Sequence, residues 1–159
     1  GKEVEGMLSG TGADPARALR MMTELGLAEL AFPLSPPGIE GAGDEDGGGG
    51  GKWDAAARTA EAAKIVSEGW NDEKGGGEGA ALLIPDARLL YLAAFLHPHR
   101  DATYPDKKGR EQKCASHVVK EGIKFKNKDV TAVGKILDNV DEMATLLRDL
   151  GTQIKEGEG

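Results

Sequence analysis

The chain has 159 residues, enough for one domain of ordinary size, with a net charge of −7 and 24 glycines, about twice the average glycine usage. Its single cysteine, Cys114, excludes an internal disulfide framework and fits a reducing compartment. No apolar run approaches the length needed to cross a membrane. Aromatic residues are scarce, so Leu, Met, Ile, Val and Ala must build the core, a composition suited to packed helices.

The sequence begins at Gly1 without a methionine or a signal-peptide pattern, and is expected to be a fragment whose upstream part is not seen. Lys2 to Leu8 reads as a short helix with Val4, Met7 and Leu8 on one side, ended by Gly10 and Gly12. Asp14-Pro15 is a strong helix start, with Asp as N-cap and Pro at the first helical position. Ala18, Leu19, Met22 and Leu25 then recur at helical spacing until Gly26 stops the helix in a left-handed cap. Leu27, Leu30, Ala31 and Phe32 make one more apolar turn before Pro33.

Leu34 to Lys52 is low in complexity, with Pro36-Pro37, the acidic patch Asp44-Glu45-Asp46 and five glycines from Gly47 to Gly51. Such composition buries too little to offset its ordering entropy, so a flexible linker is expected. The glycines lack the preceding strand and the pattern of a phosphate-binding P-loop. Trp53, Ala56, Ala60, Ala63, Val66 and Trp70 step by three and four along a helix. Asn71 to Gly79 is a second polar, glycine-rich break.

The most apolar stretch follows, from Leu89 to Leu96, on a helix starting near Pro85 or Asp86. It is apolar on nearly every side and should be buried on several faces. Asp86 suits its N-terminus, and Pro98 ends it. Beyond it, a helix is expected from about Lys113 to Gly122, with Ala115, Val118 and Val119 apolar. Asn127 is a good N-cap for the next helix, carrying Val130, Val133, Ile136 and Leu137. A last helix from Val140 to Leu150 would bury Val140, Met143, Ala144, Leu147 and Leu150, be capped by Gly151, and leave Lys155 to Gly159 frayed. No convincing strand, internal repeat or sustained heptad is found. The expected fold is all-α, an irregular array of about six to seven helices with two glycine-rich disordered loops. Its divisions are 1–33, a flexible insertion at 34–52, a helical body at 53–150 and a terminus at 151–159.

Charge is unevenly spread. The window from Arg100 to Lys135 holds ten Lys/Arg and five Asp/Glu, a local net of +5 against −12 for the rest. Lys107-Lys108-Gly109-Arg110 and Lys124-Phe125-Lys126-Asn127-Lys128 flank one expected helix. Such cations contact phosphates without reading base sequence, although on charge alone a solvated helix face is the favoured reading. Phe125 reads as a core anchor before it reads as a base-stacking platform.

Other constellations are weaker. His97, His99 and Asp101 alternate in a spacing that would put metal ligands on one side of an extended segment, yet Pro98 ends a helix there and His117 belongs to no shared motif. The competing reading is that His97 caps the core helix while Arg100 and Asp101 pair locally. Cys114 and His117, three apart, suggest a nucleophile and base, but no oxyanion donor or third group can be named. No carboxylate pair sits on a rigid element where two-metal chemistry would need it.

Two groups of residues resemble a known family. Glu3-Val-Glu-Gly-Met-Leu-Ser9, Pro15-Ala-Arg-Ala-Leu19, Leu25-Gly-Leu27 and Phe32-Pro33 resemble the neck and body of tRNA nucleotidyltransferases, the CCA-adding enzymes. Leu90-Tyr-Leu-Ala-Ala-Phe-Leu-His-Pro98, Arg100-Asp101, Tyr104, Lys107-Lys-Gly109 and Phe125-Lys-Asn-Lys-Asp129 resemble their eukaryotic branch. The resemblance implies addition of C, C and A to the tRNA 3′ end, with an N-terminal catalytic head followed by helical neck, body and tail. The head's Gly-Ser motif and Asp-x-Asp, and the base-selecting Asp and Arg of the neck, have no match in this chain, so no catalytic residue is assigned. Glu3 to Leu8 matches the later, mainly structural part of a neck motif whose leading Arg is absent.

The expectation is therefore a tRNA-binding, C-terminal part of such an enzyme. Arg100, Lys107, Lys108, Arg110, Lys124, Lys126 and Lys128 would be its RNA-binding residues. No metal site or cofactor is expected in this chain; Mg2+ and CTP/ATP belong to the full-length family enzyme. The expected partners are tRNA and the missing head, with no membrane. The family resemblance leaves cytoplasm, nucleus, mitochondrion and plastid open as compartments. The alternatives are a stand-alone helical interaction module docking through Val4–Leu8 and Val140–Leu150, and a metal-dependent hydrolase using His97, His99 and Asp101.

Overall fold

The computed structural model describes residues 2–9, 12–39, 49–73 and 86–157. Among them lie α1 (Lys2–Ser9), α2 (Pro15–Glu24), α3 (Ala28–Ala31), α4 (Gly49–Glu73), α5 (Ala87–Leu96), α6 (Cys114–His117) and α7 (Asn127–Gly157). A 3-10 turn, His97–His99, extends α5, and a π-helical turn, Val118–Gly122, extends α6. The chain is thus mostly helical, as its composition implies.

Helix α5 sits at the centre of this array. Asp86 caps its start, its carboxylate accepting the Arg88 N–H at 3.1 Å. Leu89, Tyr91, Leu92, Ala93, Phe95 and Leu96 are all buried, so α5 is covered on several sides. Its neighbours include α4, α7, α1 and α2.

The aromatic residues gather at its C-terminal end. Phe95 lies 5.1 Å from Phe32 and 5.4 Å from Trp53, measured between ring centroids. Trp53 also meets the His99 ring at 4.5 Å. Tilted and offset ring pairs of this kind add to simple area burial. Against them α4 presents Ala56, Ala57 and Ala60, each fully buried. Small side chains let the α4 backbone come close to its neighbours.

Charged ties join α2 to α4 at the rim. Arg20 donates to Glu61 at 2.8 Å and to Asp54 at 3.2 Å. Lys64 reaches Asp14 at 2.6 Å while Asp14 also accepts the Arg17 N–H, the N-cap read from the sequence. Gly26 adopts φ +68°, and Leu27 N–H reaches back to Met22 O at 2.8 Å, so the expected left-handed stop is present. The chain turns away, leaving Leu25 and Leu30 exposed, while Ala16, Leu19, Ala28 and Phe32 take the buried positions.

Several boundaries differ from the sequence reading. Helix α4 starts at Gly49, inside the stretch read as a linker, and continues to Glu73, past the expected break at Asn71. The glycines cost helix propensity but do not forbid helix once packing at Trp53 and the alanines secures the segment. Residues 40–48 and 74–85, which hold most of the two glycine-rich stretches, lie outside the described residues. The helices expected on either side of Asn139 are one continuous helix, α7, which runs through Gly151 to Gly157. No proline or left-handed residue interrupts it. Val133 and Leu137 are buried, whereas the side chains of Val66, Trp70, Met143, Ala144, Leu147 and Leu150 lie outside the described residues.

A two-stranded antiparallel hairpin, absent from the sequence reading, joins α5 to α6. Strand β1 (Thr103–Pro105) pairs with β2 (Glu111–Lys113) in the register Thr103↔Lys113, Tyr104↔Gln112 and Pro105↔Glu111. Its turn is Asp106-Lys107-Lys108-Gly109. Asp106 accepts the backbone N–H of Lys108 at 2.8 Å and of Arg110 at 2.9 Å. Gly109 N–H reaches Asp106 O at 2.9 Å, and Gly109 takes φ +74°, as a turn closed by a glycine bulge requires. The strands are only three residues each, β2 exposed and β1 half-buried at Thr103 and Tyr104, so no apolar alternation marks them.

Phe95 is fully buried between α3 and α4, so Phe95→Ala should cost about 3–5 kcal/mol of unfolding free energy. Denaturant unfolding followed by circular dichroism measures this; a loss below about 1 kcal/mol would remove Phe95 from the centre of the core.

Candidate functional site

The seven sequence-predicted cations fall into three environments. Arg100 follows the 3-10 turn and is engaged by acids. It lies 3.3 Å from Asp141 on α7 and 3.8 Å from Asp101, and donates to His97 O at 3.2 Å. With Thr103, Lys113, Leu137 and Asp138 it lines a cavity of about 260 Å³. Lys113 there pairs with Asp138. This region is a charge-balanced joint that fastens the hairpin and the end of α5 to α7.

Lys107, Lys108 and Arg110 occupy the hairpin turn and are exposed. Asp106 holds Arg110 at 3.0 Å. The Arg110 backbone N–H foremost, with Lys108 N–H and the Arg110 side chain, keeps the Asp106 carboxyl below its ordinary range. Asp106 therefore stays ionised to shape the turn, and Lys107 and Lys108 make no ion pair among the described residues.

Lys124, Lys126 and Lys128 line a cleft of about 180 Å³ with Arg88, Phe125, Glu5 and Asp129. The loop before α7 carries Lys124 and Lys126, the first turn of α7 carries Lys128, and each is exposed. Phe125 is buried, as the core-anchor reading expected, and the Arg88 guanidinium lies 4.7 Å from its ring centroid. Arg88 was not singled out in the sequence. Its side chain is 14% exposed and reaches Glu5 at 2.9 Å, Asp86 at 3.0 Å and Asp129 at 3.5 Å. It thereby joins α1, the start of α5 and the first turn of α7. An arginine just inside an apolar helix, two residues after an acidic N-cap, was the available signal.

The metal and nucleophile readings gain no geometry. Among the described residues no group of three or more His, Cys, Asp or Glu could hold a metal ion. His97 carries the backbone cap of α5, its N–H donating to Ala94 O, and His99 is packed on Trp53. Asp101 instead faces Arg100. Cys114 is fully buried, which pushes its thiol pKa up to about 11. His117 Nδ1 meets the Tyr104 hydroxyl at 3.3 Å. In the interaction-module reading, Leu8 is already buried and Val4 packs against the core; most of the Val140–Leu150 face lies outside the described residues. No helix among the described residues is long and apolar enough to cross a membrane.

No protein-family model, curated protein or solved structure matches this chain.

Burial depresses the imidazole pKa of both His97 and His117 below the ordinary 6.5. The unfolded chain takes up these protons first, so stability is complete above about pH 6.5 and is lost as pH falls through the folded values. Thermal melts from pH 8 to pH 5 should show Tm falling below pH 6.5, a fall that His97→Gln with His117→Gln reduces. A flat profile in the parent chain would contradict it.

Proposed function

We propose that this chain is a tRNA-binding helical module, corresponding to the C-terminal neck, body and tail part of a CCA-adding tRNA nucleotidyltransferase. On this reading it holds the RNA backbone, and a catalytic head outside this sequence supplies the chemistry. One structural observation carries the RNA reading. Lys107, Lys108, Lys124, Lys126 and Lys128 are exposed and make no ion pair among the described residues. Three of the nearby acids already have a cationic partner, Asp106 in Arg110 and Glu5 and Asp129 in Arg88. On the hairpin turn and at the cleft, these exposed ammonium groups give a chain of net charge −7 two cationic places suited to a polyanion. The residues that resemble the family, quoted above, supply the choice of tRNA.

Arg100 and Arg110 are weaker members of the set, because each already has a carboxylate partner. Contacts through lysine would fix position on the backbone and carry no base sequence.

The reading gives a ranked expectation for tRNA binding followed by filter retention at several salt concentrations. Lys124→Glu with Lys126→Glu and Lys128→Glu should weaken binding about tenfold or more, with a shallower dependence on log salt by about 0.7–0.9 per lost contact. Lys107→Glu with Lys108→Glu should act in the same direction. Arg100→Gln should change affinity less than either. Unchanged binding in both lysine sets would exclude these surfaces. Incorporation of CMP or AMP into tRNA by this chain alone would contradict the assignment of chemistry to a separate head.

A further inference from the structure

Lys124 is the one non-glycine residue with positive φ among the described residues, at 61°. It stands where the π-helical extension of α6 ends. Ile123 N–H donates to Val118 O at 2.8 Å, and Phe125 N–H reaches back to Val119 O at 2.9 Å. That return bond is one residue wider than the Schellman bond seen at Gly26, in keeping with the π-helical turn it closes, and the left-handed position after a helix is ordinarily glycine. A Cβ there crowds the following carbonyl, so a larger side chain carries a conformational cost. Among the described residues the other left-handed positions are glycines, including Gly26 after α2 and Gly109 in the hairpin. Lysine at 124 is a departure from its own pattern, and backbone strain of this kind concentrates where function requires it.

The surroundings indicate what the side chain serves. Lys124 lines the cleft together with Lys126, Lys128, Arg88 and Phe125. Two carboxylates line it as well, Glu5 and Asp129, and both are engaged by Arg88, at 2.9 Å and 3.5 Å. Arg88 is in turn fixed by Asp86 and by the ring of Phe125. Arg88 offsets one of these two negative charges, and the three lysines make no ion pair among the described residues, so four cations face two carboxylates and the lining is net cationic. A cleft of about 180 Å³ has room for a tetrahedral oxyanion.

We infer that this cleft binds a phosphate group, and that Lys124 keeps a lysine at a glycine position because its ammonium group contacts that phosphate. The inference rests on the RNA reading for the phosphate's source, a backbone phosphodiester; inorganic phosphate shares the chemistry and serves as a separate probe.

The test is Lys124→Gly in the full chain, measured three ways. The variant should melt within about 3 °C of the parent or above it, since glycine relieves the left-handed strain while loosening the unfolded chain. Its tRNA affinity should fall several-fold at low salt, with the log–log salt slope reduced by about 0.7–0.9, and Lys124→Arg should retain affinity. Millimolar inorganic phosphate should shift the amide resonances of residues 123–129 in the parent and much less in Lys124→Gly. Parental tRNA affinity in Lys124→Gly overturns the inference. If Lys107→Glu with Lys108→Glu weakens binding in that case, the RNA reading survives it. Failure of the parent to bind tRNA, with the phosphate shifts present, retains the phosphate cleft and overturns its RNA source. Absence of those shifts, or a variant Tm far below the parent's, also overturns the inference.

Discussion

The packing of Phe95 against Phe32 and Trp53 fixes the position of the elements around it. Phe32 ends α3, Trp53 opens the alanine-faced part of α4, and Phe95 belongs to α5. One three-ring contact therefore sets the chain on both sides of residues 40–48. Because α5 is apolar on several faces, it cannot rotate without exposing Leu89, Leu92 or Leu96 to water. The cost of such exposure, about 1.5–3 kcal/mol for each large apolar side chain, is a sizeable part of a domain's total stability.

That constraint reaches the surface through Arg88, on the same helix as Phe95. With Phe95 fixed in the core, Arg88 is held where it meets Glu5, Asp86, Asp129 and the ring of Phe125. The loop from Lys124 to Lys128 thus rests on a buried aromatic residue and a largely buried cation rather than on solvent. A backbone-binding loop gains from such support, because side chains that are already ordered lose less freedom when they meet a phosphate. At the other end of α5, Arg100 and Lys113 use their charges on Asp141 and Asp138 and hold α7 in place. Cations near each other in sequence therefore do different work, according to whether a carboxylate is within reach.

The central helix and most helical segments were legible because apolar spacing, Asp14-Pro15, Asp86 and Gly26 are local signals of helix and its ends. The hairpin is not legible, since Glu111–Lys113 is exposed and Thr103–Pro105 is half-buried without a buried alternating face. Asp106-Lys-Lys-Gly109 did carry a turn signal, but the lysines drew attention as charge alone. The length of α4 and the continuity of α7 depend on packing and on the absence of breakers, which local glycine counts misjudge. At the candidate site the lysines were visible in composition. Their freedom from carboxylates was not, because Arg88 and Glu5 are 83 positions apart and meet only in the fold. The left-handed geometry of Lys124 was likewise hidden, as lysine carries no sequence preference for it.

Amide hydrogen exchange of the chain, free and with tRNA, tests most directly whether a rigid core helix supports an RNA-binding lysine loop. The account predicts that residues 89–96 are among the slowest to exchange in both states, while residues 123–129 gain protection with tRNA. Rapid exchange across α5, or tRNA protection confined to surfaces away from Lys124–Lys128, would contradict it.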